Sequence, residues 1–149
     1  MVKHRIFKVI GARDMNRVAK WIMGYVHSGL RSRATVLALK GDLGTGKTTF
    51  VKALSNVCRA QSRAVSPSFV LLRTYKSADN TKIHHIDAWR ISSRDMGYLG
   101  FDAIVQDPRA IVCVEWADRV KSVMPRRTIW MNFQHISINE RKVTVKFFV

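Results

Sequence analysis

Apolar residues along this chain fall into short runs whose spacing changes from element to element. Ala34-Thr35-Val36-Leu37-Ala38-Leu39 reads as a buried β-strand. Phe50, Val51, Leu54, Val57 and Cys58 recur at helical spacing, so strand, loop and helix run from Ala34 to about Arg59. Upstream, Lys3 to Ile10 predicts a short strand. Asp14 then caps a helix with an apolar face of Met15, Val18, Ala19, Ile22, Tyr25 and Val26, Arg17 and Lys20 pointing outward. A polar loop covers Ser28 to Arg33. Ser66-Pro67-Ser68 predicts a turn, because proline biases its predecessor away from helix.

Phe69 to Tyr75 and Lys82 to Asp87 predict two strands joined by a polar, hairpin-like connection, Ser77 to Thr81. Ser92 to Asp107 predicts helix interrupted at Gly97 and Gly100, and Ala110 to Glu115 a short, fully buried strand. After Pro125 the period becomes two. Ile129, Met131 and Phe133 share a face, continued by Ile136 and Ile138; Asn139-Glu140-Arg141 turns the chain back into Val143, Val145 and Phe147. The sum predicts one α/β domain over residues 1–149, with a central sheet of parallel and antiparallel strands flanked by helices.

Between the first buried strand and its helix lies Gly41-Asp42-Leu43-Gly44-Thr45-Gly46-Lys47-Thr48-Thr49, which satisfies G-x-x-x-x-G-K-[ST], the Walker A loop of P-loop NTPases. The chemistry explains the spacing. Gly41, Gly44 and Gly46 free the backbone for left-handed or tightly curved conformations. Amide groups from Asp42 through Thr49 then converge on phosphate oxygens at the positive end of the following helix. Lys47 adds a full charge at the β- and γ-phosphates, as a solvated cation dispensable for folding. The Thr48 hydroxyl is placed to ligate magnesium. The expected cofactors are therefore a nucleoside triphosphate, such as ATP, and Mg²⁺.

Length and composition suit a soluble globular protein: 149 residues, 47% hydrophobic and 24% charged. No apolar run reaches membrane-spanning length, and the basic N-terminus lacks a following apolar segment, so neither a membrane partner nor a secretory signal is expected. Cys58 and Cys113 form no C-x-x-C pair and sit in apolar runs; they read as reduced thiols of a cytoplasmic protein. Charge changes the picture more. Twenty-six Lys and Arg against ten acids give a formal charge of +16, dispersed in small groups. A polyanion partner such as nucleic acid, or a general compositional bias, each accounts for it.

A Walker A loop needs an acidic partner for magnesium, held directly or through water. Glu115 ends the run Ile111-Val112-Cys113-Val114 and Asp87 ends Ile83-His84-His85-Ile86, both emerging at the carboxyl edge of the sheet, where open α/β folds bind ligands. His84 and His85 are adjacent on a strand and so point to opposite faces, which favours packing or a supporting role over joint metal ligation.

Taken in order, GDLGTGKTTF, Ser66-Pro67-Ser68-Phe69, His85-Ile86-Asp87-Ala88-Trp89-Arg90, Leu99-Gly100-Phe101-Asp102 and Val114-Glu115-Trp116 resemble the TsaE (YjeE) family over nearly the whole chain. The resemblance implies a small P-loop ATPase working alongside a TsaB–TsaD complex. The product would be threonylcarbamoyladenosine, made beside the anticodon in tRNAs that read codons starting with A. Carried over, Thr48 and Glu115 become magnesium ligands and Lys47 the phosphate anchor. Asp87 orients water or binds metal through water, and Ser66-Pro67-Ser68 acts as a switch-like loop near the γ-phosphate. Ser68 stands where the family usually has Thr, and Ala117 where proline commonly follows the tryptophan. Met15 or Asn16 occupies the place of a first-helix Thr near the adenine. Two other functions compete: a small-molecule kinase, for which Ser92-Ser93-Arg94-Asp95 makes a poor lid, and a basic nucleic-acid-binding module switched by nucleotide. Direct contact with tRNA fits the third and is compatible with the first.

Overall fold

The structure is a computed structural model, described here over residues 1–62, 64 and 70–149. Seven strands form one sheet: β1 Val2–Val9, β2 Thr35–Lys40, β3 Leu72–Lys76, β4 Lys82–Asp87, β5 Ala110–Glu115, β6 Ile129–His135 and β7 Arg141–Phe148, in the order β1-β7-β6-β2-β5-β4-β3. The strands β4, β5, β2 and β6 run parallel, while β3, β7 and β1 add antiparallel edges. The helices are α1 Ala12–His27, α2 Lys47–Val57, α3 Ser93–Tyr98 and α4 Phe101–Ile104, with a 3₁₀ segment at Ala117–Val123. The sheet is thus mixed and flanked by helices, as its patterning predicts.

Alternation along the central strands divides the apolar side chains between two cores. Leu37 and Leu39 of β2 and Ile111 and Cys113 of β5 face α1 and α2, where Ile22, Phe50 and Leu54 meet them. Val36, Ala38, Val112 and Val114 face the opposite way, onto Met96, Phe101 and Val120 of α3, α4 and the 3₁₀ segment. Both faces of β2 and β5 are covered, which is why these strands read as unbroken apolar runs. The same alternation sends Asp87 and Glu115, which are register partners at the ends of β4 and β5, toward the side of the sheet that carries α2.

Several boundaries differ from the sequence reading. Gly11, not Asp14, is the N-cap of α1. Asp14 sits in the first turn and reaches back past the cap to accept the Ile10 N–H at 2.9 Å. Gly97 stays helical inside α3; only Gly100, at φ +78°, breaks the helix. Ser92 and Asp95 form a reciprocal capping box at the start of α3. β6 ends at His135, and Ile136 and Ile138 lie exposed in the turn instead of continuing its apolar face. The strand expected from Phe69 begins at Leu72, Phe69 itself lying outside the described residues.

Candidate functional site

The loop between β2 and α2 takes the conformations its glycines permit: Gly44 and Gly46 lie at φ +75° and +105°. A Cβ on Gly41 would stand 2.4 Å from the Phe133 carbonyl oxygen and 2.8 Å from Thr45 Oγ1, so no other residue fits there without displacing backbone. The Thr45 hydroxyl donates to the Asp42 carbonyl at 2.7 Å and closes the turn. The first amides of α2 meet no side-chain cap. A helix N-terminus left open in this way, behind a glycine loop, is a cradle for an oxyanion.

Lys47 opens α2 and is only 4% exposed, not the solvated cation the motif alone suggests. Its ammonium donates to the carbonyls of Gly41 (2.5 Å) and Asp42 (2.8 Å) and lies 4.1 Å from the centre of the Trp116 ring. Burial pushes its pKa down, opposed by the fields of Glu115, Asp42, Asp118 and Asp87. Trp116 has a left-handed backbone, φ +57°, uncommon for a bulky residue and characteristic of functional sites. Its ring meets that of Trp89 in a tilted contact, centroids 4.3 Å apart, and the Arg119 guanidinium sits 4.6 Å from the Trp89 ring centre.

The Thr48 hydroxyl donates to Glu115 Oε1 at 2.8 Å, and His85 Nε2 lies 2.6 Å from Glu115 Oε2. Both Glu115 and His85 are buried. A carboxylate only accepts, so His85 carries its proton on Nε2, and Nδ1 is left without a partner among the described residues. One oxygen of Glu115 is thereby held from behind while the other faces Thr48. His84 points to the other side of the sheet, its Nδ1 2.9 Å from Thr74 Oγ1, so the two histidines diverge as adjacent strand residues must.

These groups surround a cavity of about 440 Å³ lined by Leu43, Gly44, Gly46, Lys47, Thr48 and Thr49 on one side and by Asp87, Trp89, Glu115 and Trp116 on the other. Asp87 accepts the Trp89 N–H at 2.9 Å, which fixes the chain as it leaves β4. Asp42 lies around the corner, in an adjoining groove that shares Trp116 and includes Asp118 and Asn132. Asn16 is half-buried on α1 and does not line the cavity; Met15 does approach it, its Cε 3.1 Å from where a Gly46 Cβ would be. Ser68, and with it the Ser66-Pro67-Ser68 turn, lies outside the described residues. Sequence reasoning missed Trp89 and Trp116 as site residues and gave His85 only packing or a supporting role, although all three fall inside motifs that carried the family resemblance.

The donor set suits Mg²⁺. Thr48 Oγ1 and Glu115 Oε1 are two hard oxygens at one point of the cavity rim, and magnesium takes one or two protein oxygens, completing its shell with substrate phosphates and water. No group of three or more His, Cys, Asp or Glu among the described residues forms a site that would hold a metal without phosphate. Loop, lysine, hydroxyl and strand-end acids thus meet at one edge of a mixed α/β sheet flanked by helices.

Comparison with known proteins carries this further. Residues 11–143 match the family model described as "Threonylcarbamoyl adenosine biosynthesis protein TsaE". The tRNA threonylcarbamoyladenosine biosynthesis protein TsaE of Treponema pallidum is 31% identical over 135 residues, covering 90% of this chain and 96% of the relative. Its namesake from Aquifex aeolicus is 35% identical over 112 residues, or 74% and 75% of the two chains. The chain belongs to the TsaE family. Its fold also superposes on the crystal structure of Bacillus subtilis YdiB with a TM-score of 0.72 at 23% identity, over 99% of this chain and 87% of that one.

Proposed function

We propose that this protein is a Mg²⁺-dependent ATPase of the cytoplasm that serves threonylcarbamoyladenosine modification of tRNA together with TsaB-like and TsaD-like proteins. The observation that carries the reading is the 2.8 Å contact between Thr48 and Glu115 beside Lys47, at the open N-terminus of α2, within a chain of this family. Amides of the glycine loop bind the phosphate chain, and Lys47 exchanges its carbonyl partners for phosphate oxygens. Mg²⁺, held by Thr48 and Glu115 when bound, supplies charge neutralisation at the β- and γ-phosphates. Glu115 keeps its position through His85, and Asp87, on the same rim, orients the attacking water. Trp89 and Trp116 form an apolar wall that limits water around the phosphates.

One arginine among the described residues supports partner dependence. The Arg119 guanidinium is engaged on the Trp89 ring at 4.6 Å, and a partner that adds a donor or reorders the site would complete the stabilisation of transition-state charge. Steady-state ATP hydrolysis by the purified protein, with the TsaB–TsaD pair and tRNA added in turn, tests the reading. A slow basal rate that accelerates with partners is expected. A fast rate insensitive to every partner, or phosphoryl transfer to a metabolite in place of water, overturns it.

A further inference from the structure

The helices that cover the second core stop at β6. They bury one face of β4, β5 and β2 and reach Trp130, but the same face of β7 and β1 is bare: Ile6, in the middle of β1, is 65% exposed. Alternation sends Phe7, Val143, Val145 and Phe147 to the α1 side, so the bare face carries the intervening residues. In register, Lys146 lies between Trp130 and His4, and Lys142 lies opposite Lys8. β1, β6 and β7 together hold six Lys and Arg and no Asp or Glu.

Like charges directly across a strand pair destabilise a sheet. Beside the cross-strand pair Lys8 and Lys142 lies one acid among the described residues, Glu140, 3.7 Å from Lys8 Nζ. Lys142 and Lys146 are four residues apart on β7, roughly 13 Å or about 1.6 Debye lengths at physiological salt, so each lysine offers a separate phosphate contact along the strand. Two rings border it. Trp130 is half-buried, and Phe148 carries the Arg127 guanidinium 5.9 Å from its ring centre. Lysines in rows with aromatic rings on an open sheet match a strand whose phosphates need cations and whose bases need flat surfaces.

We infer that the open face of β6, β7 and β1 binds RNA directly, through phosphate contacts to Lys8, Lys142 and Lys146 and stacking on Trp130 and Phe148. The surface lies apart from the nucleotide cavity and works whether or not ATP is hydrolysed. It also gives part of the +16 charge a purpose.

The test is fluorescence anisotropy with a labelled tRNA transcript over a salt series, comparing wild type with K142E/K146E and with R13E/K20E. The second pair makes the same change in net charge on α1, across the sheet. Wild type is expected to bind with an affinity that falls linearly in log salt. K142E/K146E should lose at least about tenfold and flatten the slope by about 1.4, at roughly 0.7 per phosphate contact. R13E/K20E should change affinity less than about threefold, and thermal melting should show all three folded. Absence of tRNA binding in wild type, or equal losses for the two pairs, overturns the inference. So does a K142E/K146E protein that binds tRNA normally but no longer associates with TsaB- and TsaD-like proteins, which would make the face a protein-docking surface.

Discussion

Replacing His85 with phenylalanine removes the donor that, among the described residues, holds Glu115 Oε2, while nearly conserving the volume of the ring. His85 is 0% exposed and the Glu115 carboxylate is buried against it at 2.6 Å, so water does not replace the lost N–H. A hydrogen bond to a charged group contributes about 1.5–3 kcal/mol, and stranding a buried charge raises the loss toward about 3–5 kcal/mol. At roughly 2–4 °C per kcal/mol for a domain near this size, His85→Phe should lower Tm by about 10 °C. His85→Gln, which keeps an N–H, should recover part of it. Because Glu115 Oε1 faces Thr48, a loosened carboxylate should also raise the magnesium concentration needed for tight ATP binding, more than it changes metal-free binding. Thermal melting and calorimetric ATP titrations over a magnesium series read both effects. A destabilisation below about 1 kcal/mol that adds independently to that of Glu115→Gln would refute the coupling.

Three further perturbations separate backbone, charge and metal. Gly41→Ala forces a Cβ onto the Phe133 carbonyl and should cost roughly 3 kcal/mol or more, whereas Gly44→Ala has open space around it and should cost only about 1–2 kcal/mol for its positive φ; urea unfolding ranks them. His84 has its pKa lowered by burial first and then by Lys82, opposed by Asp107. Its stabilising contribution is therefore present above the unfolded value near 6.5 and fades as pH falls below it. The loss of Tm between about pH 7.5 and 5.5 should be smaller in His84→Gln, and an unchanged pH slope would contradict the assignment. Asp87→Ala should reduce partner-stimulated turnover while leaving MgATP affinity within about threefold, because the residue acts on water and not on the phosphate chain; parallel losses in binding would make it a metal ligand instead.

How much of this was legible beforehand depends on how local each feature is. The phosphate loop is written in nine consecutive residues, and Asp87 and Glu115 stand out because each ends an apolar strand. His85 is different. It reaches Glu115 diagonally, from a position opposite Cys113, and that contact exists only once β4 and β5 pair in parallel register. The left-handed backbone of Trp116, which lays its ring over Lys47, likewise leaves no trace in a sequence window. The burial of Lys47 is hidden from the sequence because its partners are backbone carbonyls, invisible to side-chain patterning. At Ile136 and Ile138 apolar identity suggested strand, but the Ile136 N–H bonds to the Glu140 carbonyl and the pair form the exposed turn. The bare face of β1 and β7 depends on where the helices stop, a property of the assembled sheet alone.

The central claim is that the loop, Lys47, Thr48 and Glu115 form one MgATP site. Its most direct test is calorimetric titration of ATP, with and without magnesium, into wild type and Lys47→Met. The methionine keeps an unbranched side chain of similar length, and thermal melting checks that the variant folds, while the charge-assisted contacts to phosphate are lost; two such contacts together account for about 2.7 kcal/mol, or a hundredfold. The account predicts magnesium-enhanced binding by wild type and at least about a hundredfold weaker binding by a folded Lys47→Met. Equal ATP affinity in the two proteins, or wild-type binding indifferent to magnesium, would contradict it.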